Sequence, residues 1–173
     1  MKRFILVLAV ALAACGPGKS GGGSGGVEVA ASPQGCALLA DASSIFGKDA
    51  VTEERSKIED MAGACHWESK DGALIGEMIA FTPESLGKGK FKTGQARYDD
   101  RLAAWKSLTF DAPQPLDGLG DQAQLWTGFW GGQSQVIVRK GESVLIVSAS
   151  SINPKTNGDD LARKMAAALV KGL

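Results

Sequence analysis

Residues 134–150 read SQVIVRKGESVLIVSAS, and this stretch decides the fold class. Two runs rich in β-branched residues flank Lys140-Gly141-Glu142, the turn of a tight hairpin. In the second run Val144 and Ile146 alternate with Leu145 and Val147, so both faces of that strand are apolar. Such a strand is central in its sheet or covered by a helix. Upstream, residues 122–127 form a third strand of this group. Downstream, residues 153–158 are a loop, and Asp159 opens a C-terminal helix. Leu161, Met165, Ala168 and Leu169 line one side of that helix, with Arg163, Lys164 and Lys171 on the other.

Toward the N-terminus, residues 91–108 carry Tyr98, Leu102, Trp105 and Leu108 on one helical stripe, with Lys92, Gln95, Asp99 and Lys106 off it. The prolines at 113 and 115 exclude helix and central strand there. Residues 64–68 and 73–81 are strand-like and joined by Ser69-Lys70-Asp71-Gly72, in which Asp-Gly is a strong hairpin signal. Pro83 ends the second of them. Residues 48–63 form a charged loop with a short strand around 50–53. Residues 36–46 place Leu38, Leu39, Ala42, Ile45 and Phe46 on one helical face, and Gly47 stands where a left-handed C-cap belongs. The order α-β-β-α-β-β-β-α predicts an α+β fold: a mostly antiparallel sheet of about five strands with helices packed on one face.

The whole chain has 173 residues, 19 of them basic and 19 acidic. That length allows one domain plus a tail, and the charge balance removes the electrostatic case for nucleic acid. Residues 1–14 form a segment apart: a basic start at Lys2 and Arg3 precedes an apolar run of signal-peptide rather than membrane-spanning length. It ends in Leu12-Ala13-Ala14-Cys15, which resembles the lipobox of bacterial lipoproteins. The resemblance implies cleavage before Cys15 and a lipid on its thiol, palmitate-type acyl chains then holding the protein to a membrane. An ordinary secretory signal with a chance cysteine, or an N-terminal hydrophobic helix, is the other reading. Gly16 after the cysteine, where Asp is absent, points to the outer membrane facing the periplasm in a Gram-negative cell. Loss of Lys2 and Arg3 would leave 17 basic against 19 acidic residues.

Residues 15–33 continue as a tether, with seven glycines between positions 16 and 26 and nothing apolar to bury there. The globular domain is expected over 34–173. Within it Cys36 and Cys65 are an even pair in a chain bound for an oxidising compartment, which predicts a disulfide. A metal or redox site is the weaker alternative, because there is no CxxC and His66 is the only histidine.

Cys36-Ala37-Leu38-Leu39, Phe46-Gly47, Cys65-His66-Trp67, Gly118-Leu119-Gly120-Asp121-Gln122-Ala123 and Val138-Arg139-Lys140-Gly141 follow the lipobox and tether in a fixed order. This pattern resembles the DUF3558-type envelope lipoproteins. The resemblance implies a small α/β sandwich of uncharacterised role and carries over no catalytic residue.

No catalytic set can be named from the residues. Any serine or cysteine mechanism would have to run through His66, beside a cysteine at the start of a strand. Asp99 and Asp100 diverge on a helix, and Glu53 and Glu54 read as a solvated face. Gly118-Leu119-Gly120-Asp121 precedes a strand, so it is a turn rather than a phosphate loop. Asp117 and Asp121 are too few oxygen ligands for calcium. No metal and no cofactor is expected. Trp126, Phe129 and Trp130 cluster before Gly131-Gly132 and are the candidate binding residues, the alternative being that Trp126 packs in the core. Trp67 and Trp105 fit core positions. The expectation is a lipid-anchored, non-enzymatic binding or accessory domain of the cell envelope, contacting a protein, an envelope polymer or a small apolar ligand. An envelope hydrolase using His66, and an inhibitor-type lipoprotein presenting a loop at 129–132, are the competing readings.

Overall fold

A computed structural model describes residues 35–55, 60–108, 112–129, 133–153 and 156–173, with backbone alone at 128 and 129. The segments assigned above to the signal, the Cys15 lipid and the tether lie outside these residues. After a 3-10 turn at Gly35–Leu38 come helix α1 (Ser43–Phe46) and strands β1 (Val51–Glu54), β2 (Gly63–Glu68) and β3 (Leu74–Phe81). Helices α2 (Pro83–Lys88) and α3 (Gly94–Lys106) follow, then β4 (Gln114–Pro115), β5 (Gln122–Phe129), β6 (Gln133–Lys140) and β7 (Ser143–Ser151). Helix α4 (Gly158–Leu169) and a 3-10 turn at Val170–Gly172 close the chain.

The fold is α+β, with one sheet in the order β1-β2-β3-β7-β6-β5-β4 and every neighbouring pair antiparallel. The sheet has seven strands rather than about five. β1, the short strand expected around 50–53 but left out of the sheet count, and the two-residue β4 make the difference, one at each edge, where the prolines near β4 are tolerated. β7 is central, as its two apolar faces require.

The helices lie on both faces, which corrects the expectation of one helical layer. Residues directly opposite in an antiparallel ladder share a face. Met78, Val147 and Val136 form one such row, and Ala80, Leu145 and Val138 the next; they pack with Leu161, Met165 and Leu169 of α4. Ile79, Ile146 and Ile137, with Phe81 and Val144, face the other way and pack with Tyr98 and Trp105 of α3 and Leu86 of α2. A β7 apolar on both sides needs a cover on both sides, and one layer of helices would leave Val144 and Ile146 in water.

Two helices differ from expectation for local reasons. The run at 36–46 is broken because the Asp41 carboxylate accepts from the Ser43 hydroxyl at 2.8 Å and the Ser44 N–H at 3.2 Å, restarting the chain. α1 then ends at Gly47 as expected, but its φ of 92° and ψ of 164° are an extended, glycine-favouring conformation rather than the left-handed helical cap. Pro83 ends β3 but also opens α2: it sits in the first turn, while Thr82 and Ser85 satisfy each other's backbone N–H groups as a capping box.

Cys36 and Cys65 are joined as expected, their Cα atoms 4.9 Å apart, tying the N-terminal turn to β2. Next to this link, Phe46 stacks on Trp67 with ring centroids 6.3 Å apart. Gly76, opposite Trp67, makes room for the pair: a Cβ there would stand 2.6 Å from Phe46 Cζ and 2.5 Å from Met165 Sδ.

Candidate functional site

On the α3 side the sheet changes character along its length. The row Ala64, Ile79, Ile146, Ile137 is apolar and covered. One pleat further, the row reads Glu53, His66, Glu77, Ser148, Gln135 and then Trp126. The next row starts Val51, Glu68, Ile75, Ser150. Side chains alternate faces every second residue, so β2, β3, β7 and β6 turn from apolar to polar at the same level, while β5 runs the other way, from Gln124 to Trp126. Val51, Leu108 and Ile152, the exposed large apolar side chains among the described residues, all belong to this end of the domain.

α3 stops short of covering the polar rows. Its N-terminus is fixed at the opposite end of the sheet, where the Gly94 N–H donates to the Glu142 carboxylate at 2.6 Å and Thr93 caps the Ala96 N–H at 3.1 Å. From there the helix lays Tyr98 and Trp105 onto the sheet. Trp105 meets Trp126 edge to face, with centroids 4.7 Å apart and planes at 72°. Beyond that contact opens a cleft of about 210 Å³, lined by Arg101, Trp105, Leu108, Glu77, Gln135 and Ser148 above a floor of Ile79 and Ile146.

The charges in and beside the cleft fall into two groups. Glu77 is engaged on its outer side: His66 Nδ1 stands 3.2 Å and Arg55 Nη2 3.8 Å from its Oε1. Arg55 also pairs with Glu53 at 3.3 Å, and His66 Nε2 faces Glu68 at 3.6 Å. Arg101 stands on the inner side. Its Nε is buried without a hydrogen-bond partner among the described residues, and its guanidinium lies 5.7 Å from the Trp105 ring. Burial, reinforced by repulsion from Arg97 and only partly countered by Asp100, holds Arg101 below the ordinary arginine range. Arg97 itself is stacked 4.2 Å over Phe81 and paired with Asp100 at 3.5 Å.

His66, Glu77 and Ser148 thus share one row, the residue types of a hydrolytic triad. Their order is wrong for that chemistry. A base must stand between nucleophile and orienting acid, within hydrogen-bond reach of both. Here Glu77 is in the middle, and His66 and Ser148 are two strand spacings apart, roughly 9–10 Å. Among the described residues no three His, Cys, Asp or Glu side chains are grouped to hold a metal ion.

The other residues singled out from sequence find definite places. Gly118 and Gly120 have φ of 77° and 63° in the turn before β5. Asp121 accepts from the Gly141 N–H at 2.7 Å and pairs with Arg139 at 3.3 Å, joining two turns rather than presenting a free ligand oxygen. Trp67 and Trp105 are buried as expected. Trp126 is fully buried too, which corrects its assignment as a contact residue: its ring is the surface on which Trp105 packs. Phe129 pairs with Gln133 beyond an irregularity in the β5–β6 ladder, at the polar end of the sheet. Trp130 lies outside the described residues. Arg101, Gln135 and Ser148 were not foreseen. Their signal was Ser148 and Gln135 interrupting the apolar alternation of Val144-Ile146 and of Ile137.

Compared with known proteins, the chain matches no family model and no curated protein.

Proposed function

We propose that the chain is a lipid-anchored protein of the cell envelope, held through Cys15 and a Gly/Ser tether, whose domain binds a partner on the polar half of its sheet rather than catalysing a reaction. The observation that carries this reading is the cleft beside Trp105: polar groups of Arg101, Gln135 and Ser148, with no hydrogen bond among the described residues, meet there over an apolar floor. Recognition sites combine an apolar lining with a few convergent polar groups in this way. The row order of His66, Glu77 and Ser148 favours binding over hydrolysis. The likeness of Leu12-Ala13-Ala14-Cys15 to a lipobox supports the anchor. The signal and tether together favour an outer-membrane position facing the periplasm, in a cell that has one.

Two measurements test it. Metabolic labelling with an alkynyl fatty acid is expected to mark the wild-type chain and not Cys15→Ala, which should leave the membrane fraction. A photo-crosslinking residue at Gln135 is expected to give a discrete adduct in intact envelopes that one at Lys164, exposed on the opposite helical layer, does not give. Equal labelling of both chains refutes the anchor, and identical adducts from both positions refute the binding face.

A further inference from the structure

We propose that the cleft between α3 and the polar rows of the sheet takes a carboxylate joined to a small apolar group, the carboxylate held by Arg101, Gln135 and Ser148 and the apolar part lying against Trp105. This rests on the reading of the half-face as a binding surface and names the ligand class for it.

The cleft has a cation in need of a counter-charge. Arg101 is half-buried, and among the described residues it has neither an ion pair nor a hydrogen bond. A partly desolvated guanidinium is costly unless an anion meets it, and a planar carboxylate matches its fork with two parallel hydrogen bonds. The acids nearby are committed. Asp100 pairs with Arg97, and Glu77 is drawn outward to His66 and Arg55.

Gln135 and Ser148 complete the donor set. They face each other across the β6–β7 ladder, and neither side chain has a hydrogen bond among the described residues. One amide and one hydroxyl add to the guanidinium, enough to serve both oxygens of a carboxylate. Burial and the neighbouring Arg97, only partly offset by Asp100, push Arg101 below its ordinary range.

The remaining lining sets the rest of the ligand. Trp105, Leu108 and Ile146 give an apolar wall, and about 210 Å³ admits a group of amino-acid size. Glu77 in the same lining disfavours a dianion such as a phosphate monoester, since its second charge would face a carboxylate. A small free acid and the terminal residue of a peptide both present this chemistry.

The test is titration calorimetry on the full chain in detergent micelles, with isobutyrate, N-acetyl-alanyl-alanine and the primary amide of that dipeptide as probes. The acidic dipeptide is expected to bind at least about tenfold more tightly than its amide, the worth of one charge-assisted contact. Arg101→Gln should remove that preference, Arg101→Lys restore part of it, and Lys106→Gln on the exposed side of α3 leave it intact. Isobutyrate binding as tightly as the dipeptide identifies a free acid as sufficient; tighter binding of the dipeptide identifies a peptide end. Equal binding of dipeptide acid and amide, or no binding of either acid at millimolar concentration, overturns the proposal without needing any variant to fold. If the Gln135 crosslink still forms in envelopes under that outcome, the ligand class is wrong and the binding face stands.

Discussion

Glu77 and Ser148 stand directly opposite each other in the β3–β7 ladder, one pleat away from the paired Ile79 and Ile146 on the same face. That single step marks the edge of the α3-covered core. On one side the ladder is shielded by Tyr98 and Trp105; on the other it carries groups that need water or a ligand. A strand wholly within a core would have continued with valine or isoleucine at 148.

The boundary makes a paired prediction about stability. Ile146→Ala removes buried methylenes between Trp105 and the sheet and is expected to cost about 2–4 kcal/mol. Ser148→Val, one pleat on, is expected to stay within about 0.5 kcal/mol of wild type, because it replaces an unengaged hydroxyl at the edge of the core. Urea unfolding of the two variants checks this. Comparable losses would mean that the core extends past row 148.

The link between Cys36 and Cys65 closes a loop with a sequence separation of 29 residues. In the chain-entropy treatment that constraint is worth about 3–4 kcal/mol. The double variant Cys36→Ala, Cys65→Ala should therefore lose about that much. A reductant should lower the wild-type melting temperature toward that of the variant while leaving the variant unchanged. Wild-type melting that ignores reductant would show that the two cysteines are not bonded in solution.

These elements differ in how far the sequence shows them. The β6–β7 hairpin, the centrality of β7 and helices α3 and α4 are legible because each rests on a local pattern: a turn between β-branched runs, an apolar run unbroken from Val144 to Val147, and a spacing of three to four for the helices. The cysteine pair is legible from parity and compartment. The break at Asp41 and the start of α2 at Pro83 are harder. Both turn on a side chain hydrogen-bonding its own backbone neighbourhood, which an apolar stripe or a proline rule passes over. The polar half-face is hardest. Glu77, Gln135 and Ser148 lie far apart in the chain, and only the register of β3, β6 and β7 brings them into one row; a shift of one residue would send each to the other face. The sequence leaves Trp126 open between contact and core for a related reason, since its partner Trp105 comes from another element.

Helix α3 holds its height above the sheet through its first residue. The Gly94 N–H donates to Glu142, and a Cβ at 94 would stand 2.6 Å from the Glu142 carbonyl oxygen. Glu142→Ala leaves that N–H without its charged acceptor and is expected to cost about 1.5–3 kcal/mol. Gly94→Ala should cost about 1–3 kcal/mol, because its Cβ would meet the Glu142 backbone and push the two segments apart. Lifting the helix also disturbs the Trp105–Trp126 contact, so near-ultraviolet circular dichroism should weaken in both variants. An unchanged spectrum with lowered stability would place the helix anchor elsewhere.

The β2–β3 turn carries a pH dependence whose sign is fixed. The Asp71 carboxylate accepts from the Ser69 hydroxyl at 2.6 Å and from the Ala73 N–H at 3.1 Å, and Gly72 beside it has φ of 69°. The Ser69 bond first, then that of Ala73, hold Asp71 below the ordinary aspartate value despite some opposing desolvation. A folded-state pKa below the unfolded one means that the contribution is complete above about pH 4–5 and is lost as the pH falls through the folded value. Asp71→Asn keeps an acceptor oxygen but cannot titrate. Its unfolding midpoint should therefore fall less steeply than that of wild type between about pH 5 and pH 2, with the two curves furthest apart at neutral pH. Parallel curves over that window would show that the turn holds no ionised carboxylate. The Asp41 carboxylate, lowered chiefly by Ser43 and then by Ser44, is expected to add a second step of the same sign. Asp41→Asn combined with Asp71→Asn should then flatten the acid limb further than either change alone.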